Sequence, residues 1–203
     1  MFTALRDLFW SASFHKNATQ WPHNILVTSN FAETSFLEHI HEIADAFATN
    51  SSTITVRPFP VSRGESGFGV VVHVTIDPLK AILALSHTHR LQSETLIPRR
   101  PAEPLPGLVM ALYYWIATSQ IIDFYADVNI PVHKIAATIE KEPSLTFLRA
   151  AHPSKVQTLV DIEQHMAATT WDKLDRADSF AARIACQLAV NYGYDCPLDI
   201  PLD

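Results

Sequence analysis

The sequence predicts an α+β fold. An N-terminal antiparallel α/β sandwich, in the ferredoxin-like order β-α-β-β-α-β, is followed by a helical bundle, and the two pack as one unit. Two observations predict it. Residues 1–98 mix strand-like and helix-like hydrophobic periods, whereas the pattern after residue 107 is helical almost to the end. Between them, Pro98, Pro101, Pro104 and Pro106 interrupt any helix or central strand. The division is an α/β subdomain (1–98), a Pro-rich connector (99–107) and a helical subdomain (108–203) with an extended C-terminal tail.

The first part opens on an amphipathic helix with Phe2, Leu5, Leu8 and Phe9 on one stripe and Trp10 beside it. Residues 24–29 read as a strand. Ser35 and Glu38 form a capping box for a helix whose buried stripe is Phe36, Ile40, Ile43 and Phe47. Residues 53–59 and 68–76 alternate as strands, and the Gly-containing link between them suggests a hairpin with a long loop. Asp77 and Pro78 then supply an N-cap and a first-turn proline for a helix running to about residue 91. Residues 94–97 can form a last short strand.

The second part begins with residues 108–127, apolar nearly all round and so the centre of its bundle. Asn129-Ile-Pro131 reads as a helix start, and residues 145–151 as a short helix. Pro153 starts another helix. The last has Thr170 as N-cap, with Asp172, Asp175 and Asp178 early, where acids suit the helix dipole, and Gly193 at its C′ position.

The chain has 203 residues, 48% hydrophobic and 18% charged, which excludes a disordered chain. Its net charge of −6 argues against a nucleic-acid binder. The charge is uneven. Residues 51–100 carry 6 basic and 3 acidic side chains, a basic middle in an acidic protein. Residues 104–122 lack charge, but Pro104, Pro106, Gly107 and the polar residues 118–120 shorten the apolar length, which suits a buried helix and no membrane span. Two cysteines, Cys186 and Cys196, and a start without a signal-peptide run point to free thiols in a reducing cytoplasm.

Candidate chemistry rests on the 10 histidines and the basic segment. His39/His41 and His87/His89 are spaced two apart on segments read as helices, so their rings diverge by about 200° and cannot share a metal. His73 sits mid-strand, on a face expected to be open to solvent. If the strand after the second helix returns alongside, His73, His87, His89, Arg90, Arg99 and Arg100 form a basic edge able to bind an anion or ligand, or to dock on the acidic second half. No nucleophile elbow, phosphate loop or metal-ligand spacing is present in the sequence. This leans away from an enzyme and implies no cofactor. The expected role is a non-catalytic interaction or regulatory protein, binding another protein or itself as a homo-oligomer through Phe2, Leu5, Phe9 and Trp10. The alternative is a small-molecule or anion-binding enzyme or sensor at the basic edge.

Overall fold

The structure is a computed structural model, and it describes residues 24–29, 53–58, 69–87, 107–141 and 153–198. The N-terminal helix, the capping-box helix, the strand at 94–97 and the helix at 145–151 lie outside the described residues.

Four strands are described: β1 (Asn24–Ser29), β2 (Thr53–Pro58), β3 (Val70–Thr75) and β4 (Val128–Pro131). They form one sheet in the order β2-β1-β3-β4, and every neighbouring pair is parallel. This corrects the antiparallel, ferredoxin-like expectation. β2 and β3 are not a hairpin; they flank β1 on opposite sides. The physical reason lies in β3. All residues from Val71 to Thr75 are buried. A strand covered on both faces reads as a near-continuous Val-rich run, the mark of a parallel sheet. β4 is a second correction. Residues 129–131 join the sheet beside β3, with His73 opposite Asn129 and Thr75 opposite Pro131, instead of starting a helix. As an edge strand, β4 tolerates its terminal proline.

Six α-helices are described. α1 (Pro78–Ser86) begins as the sequence implies: Pro78 occupies the first turn, and Asp77 accepts a 2.8 Å bond from the Leu79 amide. It ends at Ser86, short of residue 91. α2 (Gly107–Tyr125) packs against α1, and a Cβ at Gly107 would lie 3.1 Å from the Ser86 carbonyl oxygen, so glycine permits that approach. Among the described residues no helix is long and apolar enough to cross a membrane. Asp127 closes the step from α2 into β4. Its amide donates to the Val71 carbonyl at 2.8 Å, and its carboxylate accepts from the Val71 amide at 3.0 Å.

A 3-10 turn (Val132–Lys134) leads into α3 (Ile135–Lys141), and α4 (Pro153–His165) follows. The expected single last helix is two, α5 (Trp171–Ala177) and α6 (Ser179–Asn191). Asp178 breaks it: extended at φ −159°, it ends α5, and its side chain accepts from the Ala181 amide to cap α6. The same carboxylate accepts from the Tyr113 hydroxyl of α2 at 2.8 Å, tying the break to the core.

One apolar cluster joins sheet and helices. It includes Val27, Val72, Val74 and Ile76 from the sheet side, Ile82 and Leu85 of α1, Leu112 and Trp115 of α2, Leu174 of α5, and Ala182 and Cys186 of α6. Each fully buried large side chain here contributes about 1.5–3 kcal/mol. Leu26 and Val71 alternate with these residues along their strands and form a separate small cluster with Ala126.

Candidate functional site

Along β3, Val71, His73 and Thr75 point to one face, and Leu26 and Thr28 of β1 lie beside them in register. The face is apolar at Leu26 and Val71 and turns polar towards the carboxyl end of the strands. His73 is fully buried, which corrects the expectation of a solvated ring. Its Nδ1 lies 2.9 Å from Asp123 Oδ1 on α2. An ionised carboxylate can only accept, so Nδ1 carries a proton, and Nε2 is an acceptor when the ring holds that one proton. Asp123 Oδ2 accepts from the Tyr192 hydroxyl at 2.6 Å. The His73 and Tyr192 rings meet edge to face with centroids 5.6 Å apart, and Trp115 meets Tyr192 the same way at 6.1 Å.

A second network continues beyond the end of β3. Tyr194 shares its one hydroxyl proton between the Thr75 carbonyl (2.9 Å) and Glu163 Oε1 (3.0 Å). Glu163 also accepts from the Asp77 amide at 2.7 Å, and Lys80 donates to its backbone carbonyl. The His133 ring sits 4.6 Å from that of Tyr194. Burial raises the pKa of Glu163 above 4.5, against the opposing pull of the Asp77 amide, Tyr194 and His133. Tyr192 and Tyr194 are both raised above 10.0, first by burial and then by the carboxylates of Asp123 and Glu163 respectively.

Both tyrosines come from one turn. α6 ends in a Schellman motif: the Tyr194 amide bonds the Ala189 carbonyl at 2.9 Å and the Gly193 amide bonds Val190 at 2.9 Å, with Gly193 at φ +79°. This is the conformation glycine adopts without strain. The turn sends the tail back over the polar ends of β3. It also brings Cys196 to Cys186, with Cα atoms 5.6 Å apart, in a disulfide. The expectation of two free thiols is therefore corrected, and cysteine usage no longer points to a reducing compartment.

Among the described residues, four buried side-chain atoms have no hydrogen-bond partner: Thr28 Oγ1, His73 Nε2, Thr75 Oγ1 and Trp115 Nε1. Three of them belong to the one face of β1 and β3. These strands flank the point where the strand order reverses, and open parallel sheets bind ligands in the crevice outside the carboxyl ends of such strands. The arrangement offers a lone pair at His73 Nε2 and two hydroxyls able to donate or accept. No group of acidic, histidine or cysteine side chains suited to a metal ion occurs among the described residues.

Of the site residues singled out from sequence, only His73 and His87 are among the described residues. His73 is bound to Asp123, and His87 is exposed at the end of α1. His89, Arg90, Arg99 and Arg100 lie outside the described residues, as do Phe2, Leu5, Phe9 and Trp10. Sequence reasoning passed over Asp123, Tyr192, Tyr194, Glu163, Thr28 and Thr75. One signal was available. Asp123 is the sole charged residue of α2, and His73 the sole ionisable residue of β3. Ionisable groups in two such apolar elements find partners or stay neutral. Comparisons with protein-family models, curated proteins and solved structures gave no match.

Proposed function

We propose that this chain binds a small, uncharged, polar molecule at the carboxyl ends of β1 and β3, as a sensor or enzyme of the α/β type. The observation that carries this is the set of unpartnered buried atoms, Thr28 Oγ1, His73 Nε2 and Thr75 Oγ1, on one sheet face. An unsatisfied buried polar group costs about 1–3 kcal/mol. Three on one face are a large cost where the neighbouring buried positions of β1 and β3 are Leu26 and Val71. A ligand donating N–H or O–H to Nε2 and exchanging bonds with the two hydroxyls removes it. The Asp123 side chain, hydrogen-bonded to His73, disfavours an anion beside this ring, so the ligand differs in charge from one held at a basic edge.

The test is thermal melting of the full chain against a panel of neutral polyols, nucleosides and amides. A ligand at a hundredfold excess over its Kd adds about 2.7 kcal/mol, a rise of roughly 5–10 °C for a chain of this size. The expected result is such a rise in the wild type and its loss in Thr28→Val. A panel that leaves the wild type unmoved, together with a crystal structure holding only an ordered water against Thr28 and His73, contradicts the proposal.

A further inference from the structure

We propose that the Cys186–Cys196 disulfide is a redox latch, and that its reduction by a dithiol frees the C-terminal strap 194–198 from the buried polar networks. This stands apart from the identity of any ligand. The disulfide joins two unlike environments. Cys186 is fully buried on α6 within the main core, whereas Cys196 is partly exposed on the strap. Between them lie Tyr192 and Tyr194, whose hydroxyls reach Asp123 and Glu163. Among the described residues, the strap side of the turn is also held by the Tyr194 amide on the Ala189 carbonyl (2.9 Å), the Tyr194 hydroxyl on Thr75 and Glu163, a 3.3 Å bond from Trp171 Nε1 to the Asp195 carbonyl, an exposed 3.2 Å bond from Lys134 to the Gly193 carbonyl, and packing of Tyr194, Cys196 and Leu198 against the core. The cross-link is the one covalent tie between strap and α6 beyond the chain itself among the described residues.

The chemistry balances with a dithiol as reductant. Its thiolate attacks Sγ of the partly exposed Cys196 and forms a mixed disulfide. The Sγ–Sγ bond breaks, and its electron pair leaves on Cys186, which takes up a proton. The second thiol of the reductant then displaces Cys196 and closes a cyclic disulfide. Two electrons pass from reductant to protein, and two protein thiols result. Cys186 cannot leave the core without unpacking α6, whereas the strap can lift at Cys196.

Removing a cross-link that closes a ten-residue separation raises the opening equilibrium on the order of a hundredfold in the chain-entropy model. The experiment is hydrogen exchange, read by mass spectrometry, on the full chain with and without dithiothreitol, with reduction confirmed by alkylation of both thiols. The expected result is exchange about a hundredfold faster across 194–198, with β3 and α2 as protected as before. Cys196→Ser is expected to show the open pattern without reductant and to ignore dithiothreitol. Loss of protection throughout the sheet on reduction overturns the proposal, because the disulfide is then a global staple. So does unchanged exchange after confirmed reduction, or a disulfide that native-state dithiothreitol leaves intact.

Discussion

Asp123 is the hub of the inner network, and replacing it with alanine tests that network directly. Its two oxygens serve two buried partners, His73 Nδ1 at 2.9 Å and the Tyr192 hydroxyl at 2.6 Å. Asp123→Ala strands both, and each hydrogen bond to a charged group is worth about 1.5–3 kcal/mol. The Asp123 side chain is 25% exposed, so water replaces part of what is lost. The low end applies, about 3 kcal/mol in all, which lowers Tm by roughly 6–12 °C in a chain of this length. Tyr192→Phe removes one donor and leaves Oδ2 within reach of solvent, for a loss of about 1 kcal/mol. The two residues share a bond, so the double variant should fall short of the sum by about 1 kcal/mol. Urea unfolding of the four proteins, compared at constant m, measures all of this. A loss below about 1 kcal/mol for Asp123→Ala, or additivity within about 0.5 kcal/mol in the cycle, refutes a network centred on Asp123.

Other outcomes follow from the same contacts. Thr28→Val and Thr75→Val keep side-chain shape while deleting an unpartnered hydroxyl, so each should leave the ligand-free chain as stable or raise it by about 1 kcal/mol in urea; a loss of similar size means that the hydroxyls are already satisfied. Both tyrosines are raised above 10.0, so the stability tied to their neutral forms is complete below pH 10 and is lost as pH climbs beyond it. Alkaline unfolding curves should become flatter in Tyr192→Phe and Tyr194→Phe. The raised pKa of Glu163 acts in the same direction at lower pH: its contribution is complete below 4.5 and is lost as pH rises through the folded value. Glu163→Gln keeps an acceptor for Asp77 and Tyr194, and should flatten that part of the stability profile. Gly193→Ala forces a Cβ into a left-handed turn at φ +79° and 2.5 Å from Lys134 Nζ, for an expected loss of about 1–2 kcal/mol in urea.

β1, β2, β3 and most of the described helix starts are legible in the sequence because they rest on local chemistry. The β-branched runs at 24–29 and 70–75, the Asp77-Pro78 start and the Thr170 cap needed no knowledge of neighbours. Pairing needed more. Val70–Thr75 alternates well enough to suggest a half-solvated hairpin strand, and only burial of both faces shows that its partners are parallel. β4 is four residues long, and Asn129-Ile-Pro131 carries the same signals as a helix start. Asp178 suits the early turn of a long helix as well as a break between two; its bond to Tyr113, 65 residues away, decides for the break. Histidine chemistry was sought in spacing along the chain. The partners of His73 lie 50 and more residues away, on α2 and beyond the end of α6. The disulfide escaped for a related reason: Gly193 was legible as the end of a helix, but where the reversed chain carries Cys196 depends on the face that α6 buries.

The state of the His73 ring carries the most weight, since its Nε2 is the acceptor offered at the carboxyl ends of β1 and β3. Long-range proton–nitrogen NMR of the full chain labelled with nitrogen-15 at histidine reads it directly. The Nδ1-protonated tautomer is expected, with that preference lost in Asp123→Ala. A ring protonated at Nε2, or the same tautomer with and without Asp123, contradicts the assignment of His73 as an acceptor oriented by Asp123.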